Sequence, residues 1–259
     1  MENSKKYTKM KDFKEHFFML YNKLKNNENF AFSRFSDGEL RIMQNQELIL
    51  GDDFYKIGDK TSTGFYYPED RKHVNPQQHP HVVNKLMEAY QYKKHNYYVG
   101  LSCRCCVGEP DFRQMIAWRG GDDEFLTWSN LWVNGNYRLF REHMIPEFSN
   151  HKIVYVLNEH ANINGLPFPV VKDFRIGENC IVNDFNKHED VAKWVEENNI
   201  ENHIFLFSAS SLSNFIIYEL FKKYDKNTYI DIGTTLNVEL GMKGKRAYLL
   251  GGDNKICIW

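Results

Sequence analysis

No apolar run in this 259-residue sequence approaches the ~18 residues that a membrane-crossing helix needs. The opening residues, MENSKKYTKMKDFKEHFF, are charged where a secretory leader would carry an uninterrupted apolar core. The chain is therefore expected to be cytoplasmic, with no membrane span. An excess of one charge is also missing: 33 Lys and Arg against 34 Asp and Glu leave a formal net charge of −1. Without a global positive field, nucleic acid is not an expected partner. Cysteine is scarce and odd in number, five in all, with three crowded into SCRCC as Cys103, Cys105 and Cys106. That count does not suit a framework of disulfides, and a structural zinc site usually takes two C-x2-4-C or H-x3-5-H pairs, whereas the only other cysteines here are the distant Cys180 and Cys257, so reduced thiols are the expected state. Neither GxGxxG nor GxxxxGK[ST] occurs, which removes the dinucleotide fingerprint and the P-loop.

What remains is an ordinary globular composition, 42% hydrophobic and 26% charged, in a chain long enough to bury roughly 70–75% of its unfolded surface. Met10, Phe13, Phe17, Leu20 and Leu24 repeat at helical spacing and predict an amphipathic helix from about Lys9 to Lys25. A strand-type run through Phe35 follows. The stretch LGDDFYKIGDKTSTGFYYPED has no clear period and predicts a long irregular segment with turns. Val83, Leu86, Met87 and Tyr90 mark a second helix leading into the strand-like NYYVGLSC. From Phe112 to Phe148 the pattern reads as helical and aromatic, with Trp118, Trp128 and Trp132 expected mainly in the core. KIVYVLN, VVKDFRI, HIFLFSA and TYIDIG read as strands, with a helix at Val191, Trp194 and Val195 and another at Leu212, Phe215, Ile216 and Leu220. The run Ile204–Phe207 lacks in/out alternation, as a parallel strand covered on both faces does. The predicted architecture is α/β and Rossmann-like: a mostly parallel sheet with helices on both faces, as a single domain over residues 1–259. Ligands of such sheets bind outside the carboxyl ends of the strands.

Three constellations fall at predicted strand ends. In SRFSDGEL, Asp37 and Glu39 flank Gly38, and in an extended segment or tight turn residues i and i+2 can face one side, where two carboxylates suit Mg2+ or Mn2+ completed by water and phosphate oxygens. The competing structural role is a helix cap at Asp37 with Glu39 complementing the helix dipole. In FLFSASSLSNF, Ser208, Ser210 and Ser211 run into a helix start, which offers either a phosphate cradle or an ordinary cap. In YIDIGTTLNVEL, Asp231 and Gly233 end a strand, where the carboxylate suits a ribose or sugar hydroxyl.

Taken in order, these segments resemble the GT-D class of glycosyltransferases. The R-F-x-D-G-E-like match at Arg34, Phe35, Asp37, Gly38 and Glu39 carries the likeness, supported by Ser208–Ser211 and by Ile230–Gly233 in the same order. Ser36 stands where that family usually has glycine, and Thr234 where histidine commonly follows D-I-G. The resemblance implies a Rossmann-like fold and transfer of a sugar from a nucleoside-diphosphate donor, most readily UDP-linked, to a glycan, glycosylated-protein or other hydroxyl acceptor. It implies Mn2+ or Mg2+ at Asp37 and Glu39, with Arg34, Gly38, Ser208, Ser210, Ser211, Asp231 and Gly233 around the donor. A general base is sought among Glu109, Asp111, Glu159 and His160. A homodimer is left open. The rivals are a sugar-phosphate isomerase using the serine loop without metal, and a non-catalytic domain that binds a glycan or partner protein through its aromatic middle.

Overall fold

Apolar runs that do not alternate become strands when both sheet faces are covered, and this chain builds its centre from such runs. In the computed structural model, which describes residues 10, 12–51, 54–63, 71–244 and 246–251, α1 runs over Phe13–Lys25, and the expected start at Lys9 lies outside the described residues. Asp12 caps α1, its side chain accepting from the Glu15 amide at 2.8 Å. The chain continues through β1 (Ala31–Phe35) and α2 (Asp37–Met43). It then enters an excursion of short strands, β2 (Leu48–Leu50), β3 (Phe54–Ile57), β4 (Lys60–Thr63) and β5 (Lys72–Val74). The first α/β half closes with α3 (Pro80–Gln91), β6 (Tyr97–Leu101), α4 (Arg104–Trp118) and β7 (Leu126–Trp128). A helical crossover includes α5 (Tyr137–Leu139) and α6 (Ile145–Phe148), joined by a π-helical turn at Phe140–Met144. The second half runs β8 (Ile153–Asn158), β9 (Val170–Ile176), α7 (Cys180–Asn183), α8 (Lys187–Glu197), β10 (Ile204–Phe207), α9 (Leu212–Lys223) and β11 (Thr228–Asp231).

Seven of these strands form one sheet in the order β7-β6-β1-β11-β10-β8-β9, and all neighbouring pairs are parallel. Successive side chains enter opposite cores: Phe205 and Phe207 pack with Leu86, Phe215 and Tyr229, whereas Ile204 and Leu206 pack with Phe17, Phe32 and Trp132. Both destinations are apolar, which is why the sequence shows no alternation there. From β1 the chain goes to β6 and β7 on one side, and β11 later returns to pair with β1 from the other. The β1/β11 boundary is thus the topological switch, where such sheets open a crevice at their carboxyl ends.

The segment after Leu50 is not irregular throughout: β2 to β5 form an antiparallel sheet in the order β4-β3-β2-β5, with residues 64–70 outside those described. Its strands are three or four residues long and β4 is fully exposed, so no alternation marks them, although Leu48 and Val74 bury into the core beside α2 and α3. The 112–148 stretch is not all helical either, because β7 interrupts it, and α4 itself is broken at Gly108 (φ 82°, ψ 167°) ahead of Pro110. The tryptophans behave as core residues. Trp132 is fully buried against Phe17 and Phe32, and Trp128 stacks on Phe13 with centroids 4.9 Å apart.

Candidate functional site

The carboxyl ends of β1, β11 and β10 lie side by side, and each delivers one of the three sequence constellations to the same rim. After β1, Ser36 caps α2 and the Glu39 carboxylate accepts the Ser36 amide at 2.9 Å, the return bond of a capping box. Asp37 and Glu39 therefore occupy the first turn of a helix, not an extended segment, and residues two apart point about 200° from each other around it. Glu39 turns inward and is buried, while Asp37 is exposed. Gly38 sits in ordinary helical backbone, where an added Cβ would only meet Leu48 at 3.7 Å and Lys72 Nζ at 4.0 Å. The cap belongs to Ser36 and not to Asp37, which leaves the Asp37 side chain uncommitted to the backbone.

Glu39 has a partner that the sequence did not disclose. Lys72, from β5 of the small sheet, reaches the rim with its ammonium buried, 3.9 Å from Glu39 Oε1 and 2.9 Å from the Ser211 hydroxyl that accepts its proton. Ser211 in turn donates to Glu39 Oε1. A lysine, a serine and a glutamate from three distant parts of the chain thus close one buried triangle, two of its sides hydrogen bonds and the third an ion pair. The small sheet is tied down across the rim as well: the His73 amide donates to Asn179 Oδ1 and the Asn179 amide nitrogen returns to the His73 carbonyl, both at 3.0 Å.

Arg34, the last but one residue of β1, donates through Nε to the Ser129 carbonyl at 2.7 Å and lies 3.8 Å from Asp231 Oδ1 at the end of β11. Gly233 follows with φ +54°, its amide donating to Asp231 at 2.9 Å, and a Cβ there would lie 2.1 Å from Arg34 Nη1. Glycine is required twice over, by the left-handed backbone and by the guanidinium stacked against it. Gly233→Ala should cost about 1–3 kcal/mol in chemical unfolding and displace the arginine; a cost under ~0.5 kcal/mol would contradict this packing.

Burial pushes the Asp231 carboxyl up to about 7, against the opposing pull of Arg34, with Glu39 adding to the rise and the Gly233 amide opposing it. Between its ordinary value of 3.8 and about 7, the folded chain keeps a proton that the unfolded chain has released. The stabilising contribution is complete below the lower value and is lost as pH rises through the upper one. Asp231→Asn should therefore gain stability relative to the parent when urea unfolding is moved from about pH 5 to about pH 8. A parent-to-variant difference that stays constant over this interval would rule out the shift.

The three serines separate in role. Ser208 donates to the Gly233 carbonyl at 2.6 Å and pairs with the Tyr155 hydroxyl at 2.8 Å, so its side chain joins β10 to the β11 loop. Ser211 belongs to the buried triangle. Ser210 is exposed at the start of α9 and holds φ +50°, a left-handed conformation that costs a non-glycine residue roughly 1–2 kcal/mol. Asn214, which sequence reading passed over, donates to the Arg34 carbonyl at 2.5 Å and to Ser33 at 3.2 Å, fixing α9 against β1. Thr234 pairs with the Tyr248 hydroxyl at 2.7 Å.

The residues fit a divalent cation through one carboxylate, not two. Both Glu39 oxygens are engaged and a lysine ammonium stands beside them, whereas Asp37 is exposed at the rim; among the described residues no group of three carboxylate or imidazole ligands gathers at this rim. One protein carboxylate with water and substrate phosphates is a common Mg2+ arrangement.

Of the base candidates, Glu109 is ion-paired to Arg104 and Arg113, with the Arg113 hydrogen bond holding its carboxyl below the usual range, and Asp111 is ion-paired to Arg41 at 2.8 Å. Glu159 and His160 instead line an open cleft of about 460 Å³ with Arg175, Gly177 and Asp184, at the ends of β8 and β9. That cleft shares the carboxyl end of the sheet with the Arg34–Asp231–Glu39 cluster, but none of the cluster residues line it.

No family model matches this chain, and no curated protein matches it. Two solved structures of the domain of unknown function 1792 do superpose on it, each at 15% identity over 96% of this chain and 84% of the neighbour. A selenomethionine-substituted form gives a TM-score of 0.58; the other, described as having a distinct glycosyltransferase fold, gives 0.59. At that identity the likeness establishes the fold: a glycosyltransferase-like α/β architecture built on a seven-stranded parallel sheet.

Proposed function

We propose that this chain is a GT-D-type glycosyltransferase that binds a nucleoside-diphosphate sugar, UDP-linked, at the rim shared by β1, β11 and β10 and transfers the sugar to a glycan or glycosylated-protein hydroxyl. The observation that carries this is the meeting of segments far apart in the chain, with Ser211 bonded to Glu39 and Arg34 beside Asp231, at the switch point of the sheet. Mn2+ or Mg2+ would be held by Asp37 with phosphate oxygens and water, and when bound supplies Lewis-acid stabilisation of the departing diphosphate. Arg34, fixed by Ser129, adds positive charge where negative charge develops. The exposed turn at Ser210 would present its hydroxyl to a phosphate beside the positive end of α9. Glu39 is a positioning residue that holds the α2 turn, Ser211 and Lys72 in register. The neighbouring cleft with Glu159 and His160 is the acceptor side, and those two are the candidates to take the acceptor proton.

Release of free nucleoside diphosphate from a panel of sugar nucleotides, with Mn2+, with Mg2+ and with chelator, tests this. UDP release that chelator abolishes is the expected result. Catalysis on a sugar monophosphate that ignores metal would favour an isomerase, and glycan binding indifferent to nucleotide would favour a non-catalytic domain; either outcome overturns the proposal.

A further inference from the structure

The three cysteines of SCRCC meet in space although their spacing matches no two-pair zinc pattern. Cys103 caps the first turn of α4 at the end of β6 and is buried, while Cys105 and Cys106 lie exposed in that turn. Their ligating sulfurs all fall within 4.8 Å of one another, with Cys103 Sγ 2.8 Å from Cys105 Sγ and 3.4 Å from Cys106 Sγ. Among the described residues this is the one group of three side chains placed to hold a metal ion. The break at Gly108 ends the turn four residues after Arg104, so the segment folds as a tight knuckle whose first residues converge. Asn130 adds a polar lid, its amide nitrogen 3.7 Å from both Cys103 Sγ and Cys106 Sγ. The contrast is Cys180, a buried thiol that donates to the Ala209 carbonyl at 3.3 Å and is pushed up to about 12 by burial.

We infer that Cys103, Cys105 and Cys106 together bind one thiophilic d10 cation of the Zn2+ class, with its fourth position open. Metal–sulfur bonds of ~2.3 Å in tetrahedral geometry set thiolate sulfurs about 3.8 Å apart, which the knuckle reaches by small side-chain rotations and which suits a single ion. Thiolate donors select zinc and monovalent copper over the oxygen-seeking Mg2+ and Mn2+ of the rim, so the two sites would not compete for one metal. The sequence hides the site because a single helical turn does here what two separated pairs do in the common pattern. Asn130 adjoins Ser129, whose carbonyl orients Arg34 at 2.7 Å, so an ion in the knuckle would stiffen the loop that fixes the arginine.

The test is titration of the reduced full-length chain with Zn2+ against a chromophoric chelator, and with Co2+ as a spectroscopic probe. Expected are one Zn2+ per chain and a sulfur-to-cobalt charge-transfer band. Cys105→Ser and Cys106→Ser, both at exposed positions, should keep the fold by circular dichroism and weaken binding by at least about 10- to 100-fold, the range that loss of even an outer partner produces. Cys180→Ser and Cys257→Ser should leave binding unchanged. No metal uptake by the reduced chain, a cobalt spectrum without the charge-transfer band, or unaltered affinity in the Cys105 and Cys106 variants would overturn the inference, as would pairwise disulfide formation as the only reaction of these thiols.

Discussion

Glu39→Ala should lower stability by about 3–5 kcal/mol, because it leaves the buried Lys72 ammonium without its carboxylate. Both side chains are only 9% exposed, so water cannot readily replace the missing partner. The same change removes the acceptor of the Ser36 amide, a cap worth ~1 kcal/mol, and of the Ser211 hydroxyl. Glu39→Gln keeps an acceptor for the cap and should cost less. Replacing both members of the pair, as Glu39→Met with Lys72→Met, should recover most of the loss, since apolar groups of similar volume can stand in for a buried ion pair. Urea unfolding measures all three. A loss below about 1 kcal/mol for Glu39→Ala, or additive losses in the double variant, would show that the triangle contributes little.

Asp37→Asn should behave in the opposite way, leaving stability within ~0.5 kcal/mol of the parent while donor turnover falls on the order of 10³. The side chain is exposed, so little folding energy depends on it. Its proposed work is to hold a cation against the diphosphate: at an effective dielectric near 20, unit charges ~4 Å apart interact by about 4 kcal/mol, and each 1.4 kcal/mol is tenfold in rate. Glu39→Gln, though adjacent in the motif, should respond through stability and donor affinity more than through metal dependence. If the two variants showed the same metal response, Asp37 and Glu39 would be acting as a joint chelate, and the assignment to Asp37 alone would be wrong.

The contrast between these carboxylates also shows where the sequence could be read and where it could not. Strands β6, β8, β10 and β11 announce themselves as short apolar runs covered on both faces, helices α1, α3, α8 and α9 by their apolar stripes, and the carboxyl-end rule then points to the Ser36–Glu39 and Ser208–Ser213 loops from sequence alone. The direction of Glu39 was hidden: extended and helical backbones send residue i+2 to opposite places, and only the Ser36 cap decides between them. Lys72 was hidden more deeply, since its strand is three residues long and its partner Ser211 lies 139 positions away. Strand β7 was masked by aromatic residues that serve equally well in a helix. The crowding of the three cysteines was visible in the sequence, but their convergence was not, because no second pair of ligands stands nearby and only the local turn brings the sulfurs together.

On this proposal a nucleoside diphosphate sits where β1, β11 and β10 end. Amide hydrogen exchange with and without UDP and Mn2+ tests that place directly. Slower exchange confined to residues 36–40, 208–213 and 231–235 is the predicted result. Protection confined to the Glu159–His160 cleft, or no change in those three segments at saturating nucleotide, would contradict it.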